Sequence, residues 1–386
     1  MKICMVAKHF PPYMGGLEAR VFDVAKWLTE HGEHVSVLTS MEKNTLRHQL
    51  MEGIEVYRSK NFLTISNAML TPGIFLHLLR SDYDLVDVNF PDPLNGFFVF
   101  LSSLLRGKPY VITYHADIIR EGIMYLPLRI FFEPLQYLLL TGAERIIVTS
   151  PNYAMQSKTL KPFLSKVEVA SSFVDKSKFK EKNIQTFRKK LLKGREKIIL
   201  FVGRLVPYKG IDVLIHSFSK LKKNSARLVI VGCGPLEDEL KDIAADMGVS
   251  VFFAGEVSDK DLPKYYCACD VLALPSVTRQ EAFGLVLVEA MSFGKPVVTS
   301  AFSGMPYVVG DEKLKDFCSF QEGEGGLLVP AGDDVALSEA LKKILSDARY
   351  AVKIGLRGKR RVERLFTRDA VCGSLWEIYK SAVHRF

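Results

Sequence analysis

Glu281 and Glu289 carry the two carboxylates that this sequence places most unexpectedly. Glu281 closes a polar loop, Leu274-Pro-Ser276-Val-Thr-Arg-Gln-Glu281, and leads into Ala-Phe-Gly284, whereas Glu289 interrupts the apolar run Leu285-Val-Leu-Val-Glu289-Ala-Met. A carboxylate among apolar neighbours is costly unless something partners it. An ion pair within the fold would answer that need. An acid and nucleophile acting on a glycosidic bond would also use two carboxylates, but Glu289 lies about two turns beyond Glu281, so flanking one bond is awkward. Two cations stand in another loop: Phe201-Val-Gly-Arg204-Leu-Val-Pro-Tyr-Lys209-Gly210 holds a guanidinium fork and an ammonium close together. Together they suit a diphosphate, the plain alternative being a solvated loop. Gly15-Gly16 opens a helix pattern, where free N–H groups and the positive helix end can meet an anion, or simply turn the chain. Val231-Gly-Cys-Gly-Pro-Leu-Glu237 begins like a dinucleotide-binding turn, but Glu237 stands where close packing of helix on strand wants a third glycine, which sets an oxidoreductase aside.

Most of these groups follow strand-like runs, and the elements that must position them read as βαβ units around parallel sheets. The first half offers runs at Lys2–Ala7, His34–Thr39, Ile54–Tyr57, Leu85–Asn89, Tyr110–Tyr114, Arg145–Thr149 and Lys166–Ala170. Between the first two, Leu17, Val21, Val24, Ala25 and Leu28 recur at helical spacing, with Gly32 as a stop. A polar, lysine-rich linker begins near Asp175. The second half repeats the grammar at Lys197–Val202, Arg227–Val231, Val249–Ala254, Val271–Leu274, Pro296–Ser300 and Gly326–Val329. The expected architecture is therefore α/β, two Rossmann-like doubly wound parallel-sheet domains facing across a cleft. Ligands of such sheets bind beyond the carboxyl ends of the strands.

With 386 residues, two domains are the natural division. The net charge of +9 fits an anionic partner or simple solubility, and the densest run, Arg357-Gly-Lys-Arg-Arg361, fits a solvated helix face. Six cysteines without paired metal spacing read as reduced, mostly buried thiols, so the expected location is cytoplasmic. The opening residues make a buried strand rather than a signal peptide. Neither apolar stretch, 94–105 or 122–143, suits a bilayer span, the second because it carries Pro127, Arg129, Glu133 and Pro134. Its aromatic and aliphatic content, with Arg120 and Arg129 close by, matches a segment lying in a membrane interface as well as a helix buried beside the sheet.

Taken in order, Gly15-Gly16-Leu-Glu, Thr113-Tyr-His115-Ala-Asp117, Val202-Gly-Arg204 with Lys209-Gly210, Val231-Gly-Cys-Gly-Pro235 and Glu281-Ala-Phe-Gly-Leu-Val-Leu-Val-Glu289 resemble the retaining glycosyltransferase family 4, whose members have the GT-B fold. The paired glutamates at that spacing are the specific part. The resemblance covers nearly the whole chain and implies an N-terminal acceptor-side domain over 1–180, a helix over 367–386 returning to it, and a nucleotide-sugar donor domain over 181–366. The family's Pro-Asn-Gly-Val-Asp linker reads Ser171-Ser-Phe-Val-Asp175 here, a departure at the hinge-side turn.

By that resemblance, Gly15 and Gly16 belong to the donor site, Gly16 giving its N–H to the donor phosphate, while Arg204 and Lys209 bind the diphosphate. Glu289 takes the ribose hydroxyls, and Glu281 sits by the donor sugar. Backbone around Phe283, Gly284 and Leu285 meets sugar and phosphate, Val257 lies near the base, and His115 contacts a sugar hydroxyl or the acceptor. Glu281, His115, Arg204 and Lys209 form the expected catalytic set, with no metal and no cofactor beyond a UDP- or GDP-linked sugar as donor substrate. The expected acceptor is a hydroxyl of a glycan or lipid-linked molecule, with an anionic membrane surface as a further partner, peripheral attachment at the inner membrane face, and no nucleic acid. The rival functions are a nucleotide-sugar epimerase or phosphorylase on the same fold, and a non-catalytic carbohydrate-binding protein.

Overall fold

The computed structural model describes residues 1–13, 15–65, 68–118, 126–175, 184–192, 197–223, 225–311 and 319–384. The chain forms two compact units: Met1–Thr149, Ala154–Ser171 and Asp369–Phe386 make the first, and Ser150–Tyr153 with Ser172–Arg368 make the second.

The first unit is built on β1 (Lys2–Val6), β2 (His34–Ser40), β3 (His48–Met51), β4 (Ile54–Ser59), β5 (Leu63–Ile65), β6 (Ala68–Leu70), β7 (Leu85–Phe90), β8 (Tyr110–Tyr114), β9 (Arg145–Val148) and β10 (Val167–Val169). Eight of these strands form one sheet in the order β10-β9-β8-β7-β1-β2-β4-β3, parallel but for β3, while β5 and β6 pair as a separate hairpin. The central strands are buried apolar runs, as a sheet covered on both faces requires. Strand order reverses between β1 and β7, so loops leaving those two strands diverge and open a crevice at their carboxyl ends.

Inside this apolar sheet sits a charged residue that interrupts the hydrophobic pattern of its strand. Asp87, in the middle of β7, is only 1 % exposed. Its Oδ1 accepts from Thr113 Oγ1 at 2.8 Å and its Oδ2 from Tyr379 Oη at 2.7 Å. Burial pushes its carboxyl up, opposed by both hydroxyls and by the buried Arg20, which itself donates to the carbonyls of Ala170 and Ser171. Tyr379 belongs to the last helix, Arg368–His384. That helix is also tied to the unit by Trp27 Nε1 donating to Asp369 and by Trp376 Nε1 donating to Glu33, each at 2.8 Å. Tyr379→Phe therefore leaves one carboxylate oxygen without its donor in a dry site, and unfolding in denaturant should show a loss of about 1–3 kcal/mol. An unchanged midpoint would mean that the hydroxyl contributes nothing there.

The helix Leu126–Gly142 buries Phe132, Gln136, Leu139 and Leu140. Its other side is also apolar, with Ile130 67 %, Phe131 51 % and Tyr137 57 % exposed. Arg129 on that side pairs with Glu133 at 2.9 Å, and Arg120 lies outside the described residues. Among the described residues no helix is long and apolar enough to cross a membrane.

The second unit holds β11 (Lys197–Val202), β12 (Ala226–Val231), β13 (Val251–Gly255), β14 (Val271–Leu274), β15 (Val297–Ser300), β16 (Gln321–Glu322) and β17 (Gly326–Val329). Their order is β13-β12-β11-β14-β15-β17-β16, parallel except for β16. The order reverses between β11 and β14. One apolar core runs through the sheet and the helices that cover it. The basic run near residue 360 is not simply a solvated face: Arg361 is buried, pairs with Glu324 at 3.0 Å and donates to the carbonyls of Tyr307 and Val308. Cys4, Cys269 and Cys372 are buried, and burial pushes the first two thiols up to about 12; Cys267 is half-buried, Cys233 is exposed, and Cys318 lies outside the described residues.

Candidate active site

In the second unit the crevice position at the strand-order reversal is occupied by the loops after β11 and β14, and these carry the charged groups that the sequence singles out. Arg204 follows β11 directly and is exposed. Its guanidinium has no hydrogen-bond or ion-pair partner among the described residues. Lys209 ends a short turn, Pro207–Lys209, in the same loop, and its ammonium meets Glu281 Oε2 at 2.5 Å. Both side chains of that pair are about nine-tenths buried. Glu281 comes from the loop after β14, and its remaining contacts are a hydrogen bond from Gly284 N to Oε1 at 3.2 Å and one from Ser276 Oγ to Oε2 at 3.4 Å. The buried carboxylate is thus satisfied by an ion pair within the unit. An ammonium has three donors, so Lys209 keeps capacity for an anion after serving Glu281.

The β11 loop is braced from beneath by its neighbour. Gly203 N donates to Val231 O at 3.0 Å, Leu205 N to Cys233 O at 2.9 Å, and Leu236 N to Leu205 O at 3.2 Å. The chain after β12 approaches so closely that a Cβ on Gly232 would sit on the Gly203 carbonyl, and Gly232 has φ +128°, a conformation left to glycine. The glycines that imitate a dinucleotide-binding turn therefore support the loop bearing Arg204.

Gly284, at φ +80°, caps the helix Leu285–Ser292. Phe283 is buried edge-on against Phe366, with ring centres 5.8 Å apart, and Leu285 is half-buried against the core. Glu289 is the fifth residue of that helix and part-buried. The hydroxyl of the fully buried Tyr266 donates to its Oε2. Burial raises the Glu289 pKa, the Tyr266 hydrogen bond opposes the rise, and Asp259 adds to it. Val257 follows β13, half-buried on the core.

In the first unit Gly15 caps the helix Gly16–Glu30 from an extended conformation, without a side-chain hydrogen bond. A Cβ on Gly16 would meet nothing within 4 Å, so this face of the helix start is open among the described residues. His115 follows β8. Its backbone N–H donates to Phe90 O at 3.1 Å and its Nε2 lies 3.1 Å from Asn89 Oδ1. Burial, and secondarily Arg20, hold its pKa well below the usual histidine value, so the ring is neutral at pH 7.

Two Asp-x-Asp tripeptides occur, and both are engaged locally. Asp82 pairs with Lys2 at 2.6 Å and Asp84 accepts from Lys2 N; Asp261 of Asp259-Lys260-Asp261 accepts from Ser258 and pairs with Lys264. Among the described residues no group of three His, Cys, Asp or Glu side chains could hold a metal ion.

Residue type and position after a strand pointed to Arg204, Lys209 and Glu281. Asp87, Asn89 and Tyr266 were passed over. Asp87 and Asn89 had left a signal, since two polar residues in Leu-Val-Asp-Val-Asn-Phe, an otherwise apolar strand, demand partners.

Two family models divide the chain between them. "Glycosyltransferase Family 4" matches residues 14–178, and "Glycosyl transferases group 1" matches 183–361. Among curated relatives, the D-rhamnosyltransferase WbpZ of Pseudomonas aeruginosa is 29% identical over 92% of this chain and 89% of its own length, and the O-antigen chain mannosyltransferase C of Escherichia coli is 26% identical over 98% of each. Among solved structures, Anabaena Alr3699/HepE in complex with UDP superposes with a TM-score of 0.78 at 21% identity over 99% of this chain and 100% of its own, and its complex with UDP-glucose gives 0.75. With both halves matched in order and the two-sheet architecture shared, the chain belongs to the family 4 glycosyltransferases of GT-B fold.

Proposed function

We propose that this glycosyltransferase is a retaining hexosyltransferase that moves a sugar from a UDP- or GDP-linked donor to a hydroxyl of a glycan or lipid-linked acceptor. The observation that carries the reading is the presence in one loop, at the β11/β14 reversal, of Arg204, without a partner among the described residues, and a partly engaged Lys209. Departure of a nucleoside diphosphate puts negative charge on phosphate and cationic character on the anomeric carbon. Cations already held in place lower that barrier without reorganising. In this reading Arg204 and Lys209 take the diphosphate, Glu289 the ribose, Glu281 and the backbone around Phe283, Gly284 and Leu285 the donor sugar, and Val257 the base. Gly15 and Gly16 add helix-start N–H groups for phosphate, and neutral His115 accepts from a hydroxyl. Attack from the leaving-group face, with the departing phosphate oxygen taking the acceptor proton, retains the anomeric configuration. The UDP and UDP-glucose complexes of Alr3699/HepE support a nucleotide-sugar donor.

The test is turnover of a panel of UDP- and GDP-sugars with and without glycan and lipid-linked acceptors, with the anomeric configuration of the product read by NMR. Acceptor-independent isomerisation would point to an epimerase, phosphate-dependent cleavage to a phosphorylase, and binding without turnover to a carbohydrate-binding protein. Because two cations can supply the charge stabilisation that a divalent ion would otherwise give, activity should persist in EDTA. A requirement restored only by magnesium or manganese would contradict this.

A membrane-proximal acceptor is part of the proposal, supported by the outward apolar side of the helix Leu126–Gly142. Co-sedimentation with anionic but not neutral liposomes, weakened by salt, is the expected result. Absence of binding together with efficient glycosylation of a soluble acceptor would remove the membrane and leave the transferase.

A further inference from the structure

His115 is held to β7 at two points. Its backbone N–H bonds Phe90 O, and its ring meets the side chain of the preceding residue, Asn89, which is 3 % exposed at the carboxyl end of that strand. The amide of Asn89 has its own orientation fixed, because Nδ2 donates to Val6 O on neighbouring β1 at 3.4 Å. Its Oδ1 is therefore the atom facing the imidazole, and a carbonyl oxygen can only accept. The ring proton must then reside on Nε2, which leaves Nδ1 as the ring's sole acceptor. We propose that Asn89 is a positioning residue for the transfer reaction: it fixes His115 in the Nε2–H tautomer, so that the histidine meets a substrate hydroxyl as an acceptor through Nδ1. The low pKa produced by burial agrees, since a protonated ring would have no acceptor at all.

The proposal rests on the reading that His115 touches a substrate hydroxyl, and its test separates the two. Two-bond 15N–1H correlation spectra of the unaltered enzyme at neutral pH should show His115 neutral with its proton on Nε2. Asn89→Leu removes the acceptor, and an unpaired buried N–H is costly, so the proton should move to Nδ1. kcat should then fall about tenfold or more with donor KM unchanged, the equivalent of one lost hydrogen bond in the barrier. In a His115→Ala background the same substitution should cost nothing further, which damage acting elsewhere in the unit would not reproduce. A proton on Nδ1 in the unaltered enzyme would overturn the proposal even if Asn89→Leu failed to fold. Independent, additive losses in the double variant would overturn it too. Normal turnover of His115→Ala would refute the hydroxyl contact and the catalytic role of Asn89 with it, while the tautomer recorded in the spectrum would stand.

Discussion

Arg204→Ala and Lys209→Ala should each lower turnover by at least about a hundredfold, the usual cost of one lost contact to charge that develops in the transition state. Their effects on stability should differ. Arg204 is exposed and has no partner among the described residues, so its removal should leave the unfolding midpoint where it was. Lys209 is the ion-pair partner of Glu281, and both side chains are largely buried. Alanine there strands a carboxylate whose remaining donors are Gly284 N and Ser276 Oγ, at a cost of about 3 kcal/mol. Removing both partners, Lys209→Ala with Glu281→Ala, should restore most of that stability and none of the activity. Turnover close to normal in purified Arg204→Ala would take this residue out of the proposed donor site.

Gly232→Ala should be more damaging to the fold than any of these. The substitution forces an L-residue to φ +128° and drives a methyl group into the Gly203 carbonyl, with no flexible side chain available to yield. A loss of about 3–5 kcal/mol is expected, combining backbone strain with overpacking. Because the displaced segment carries Arg204, activity should fall below what the folded fraction explains. Calorimetry alongside turnover per folded molecule measures both parts. An alanine variant that is stable and active would show that this backbone approach is not needed.

Strands that are buried on both faces announce themselves. Tyr110–Tyr114, Lys197–Val202, Val271–Leu274 and Gly326–Val329 are readable to the residue, because covered parallel strands must be continuous apolar runs. The strands that escape reading, His48–Met51, the hairpin Leu63–Ile65 with Ala68–Leu70, and Gln321–Glu322, are short, antiparallel and for the most part only partly covered, so their sequences lack the continuous apolar run of a strand buried on both faces. The same physics limits the site. Arg204, Lys209 and Glu281 are visible as charge beside strand ends. That Lys209 and Glu281 meet depends on the β11–β14 pairing, a contact between segments 72 residues apart. For Asp87, two of the groups that make its burial tolerable come from β8 and from a helix 292 residues away, beyond any local pattern.

The return of the last helix to the first unit reverses the ordinary order of events during synthesis. Domains usually complete themselves as they emerge, the N-terminal one first. Here every residue of the second unit, which ends at Arg368, has been made before the helix that supplies Tyr379 to Asp87 and Trp376 to Glu33. The later-encoded unit can therefore mature while the earlier one still waits, its buried aspartate holding the Thr113 hydroxyl but not the Tyr379 one, until Asp369–Phe386 leave the ribosome. A stop codon just after Arg368 would release a chain with a sound second unit and an N-terminal unit unable to close.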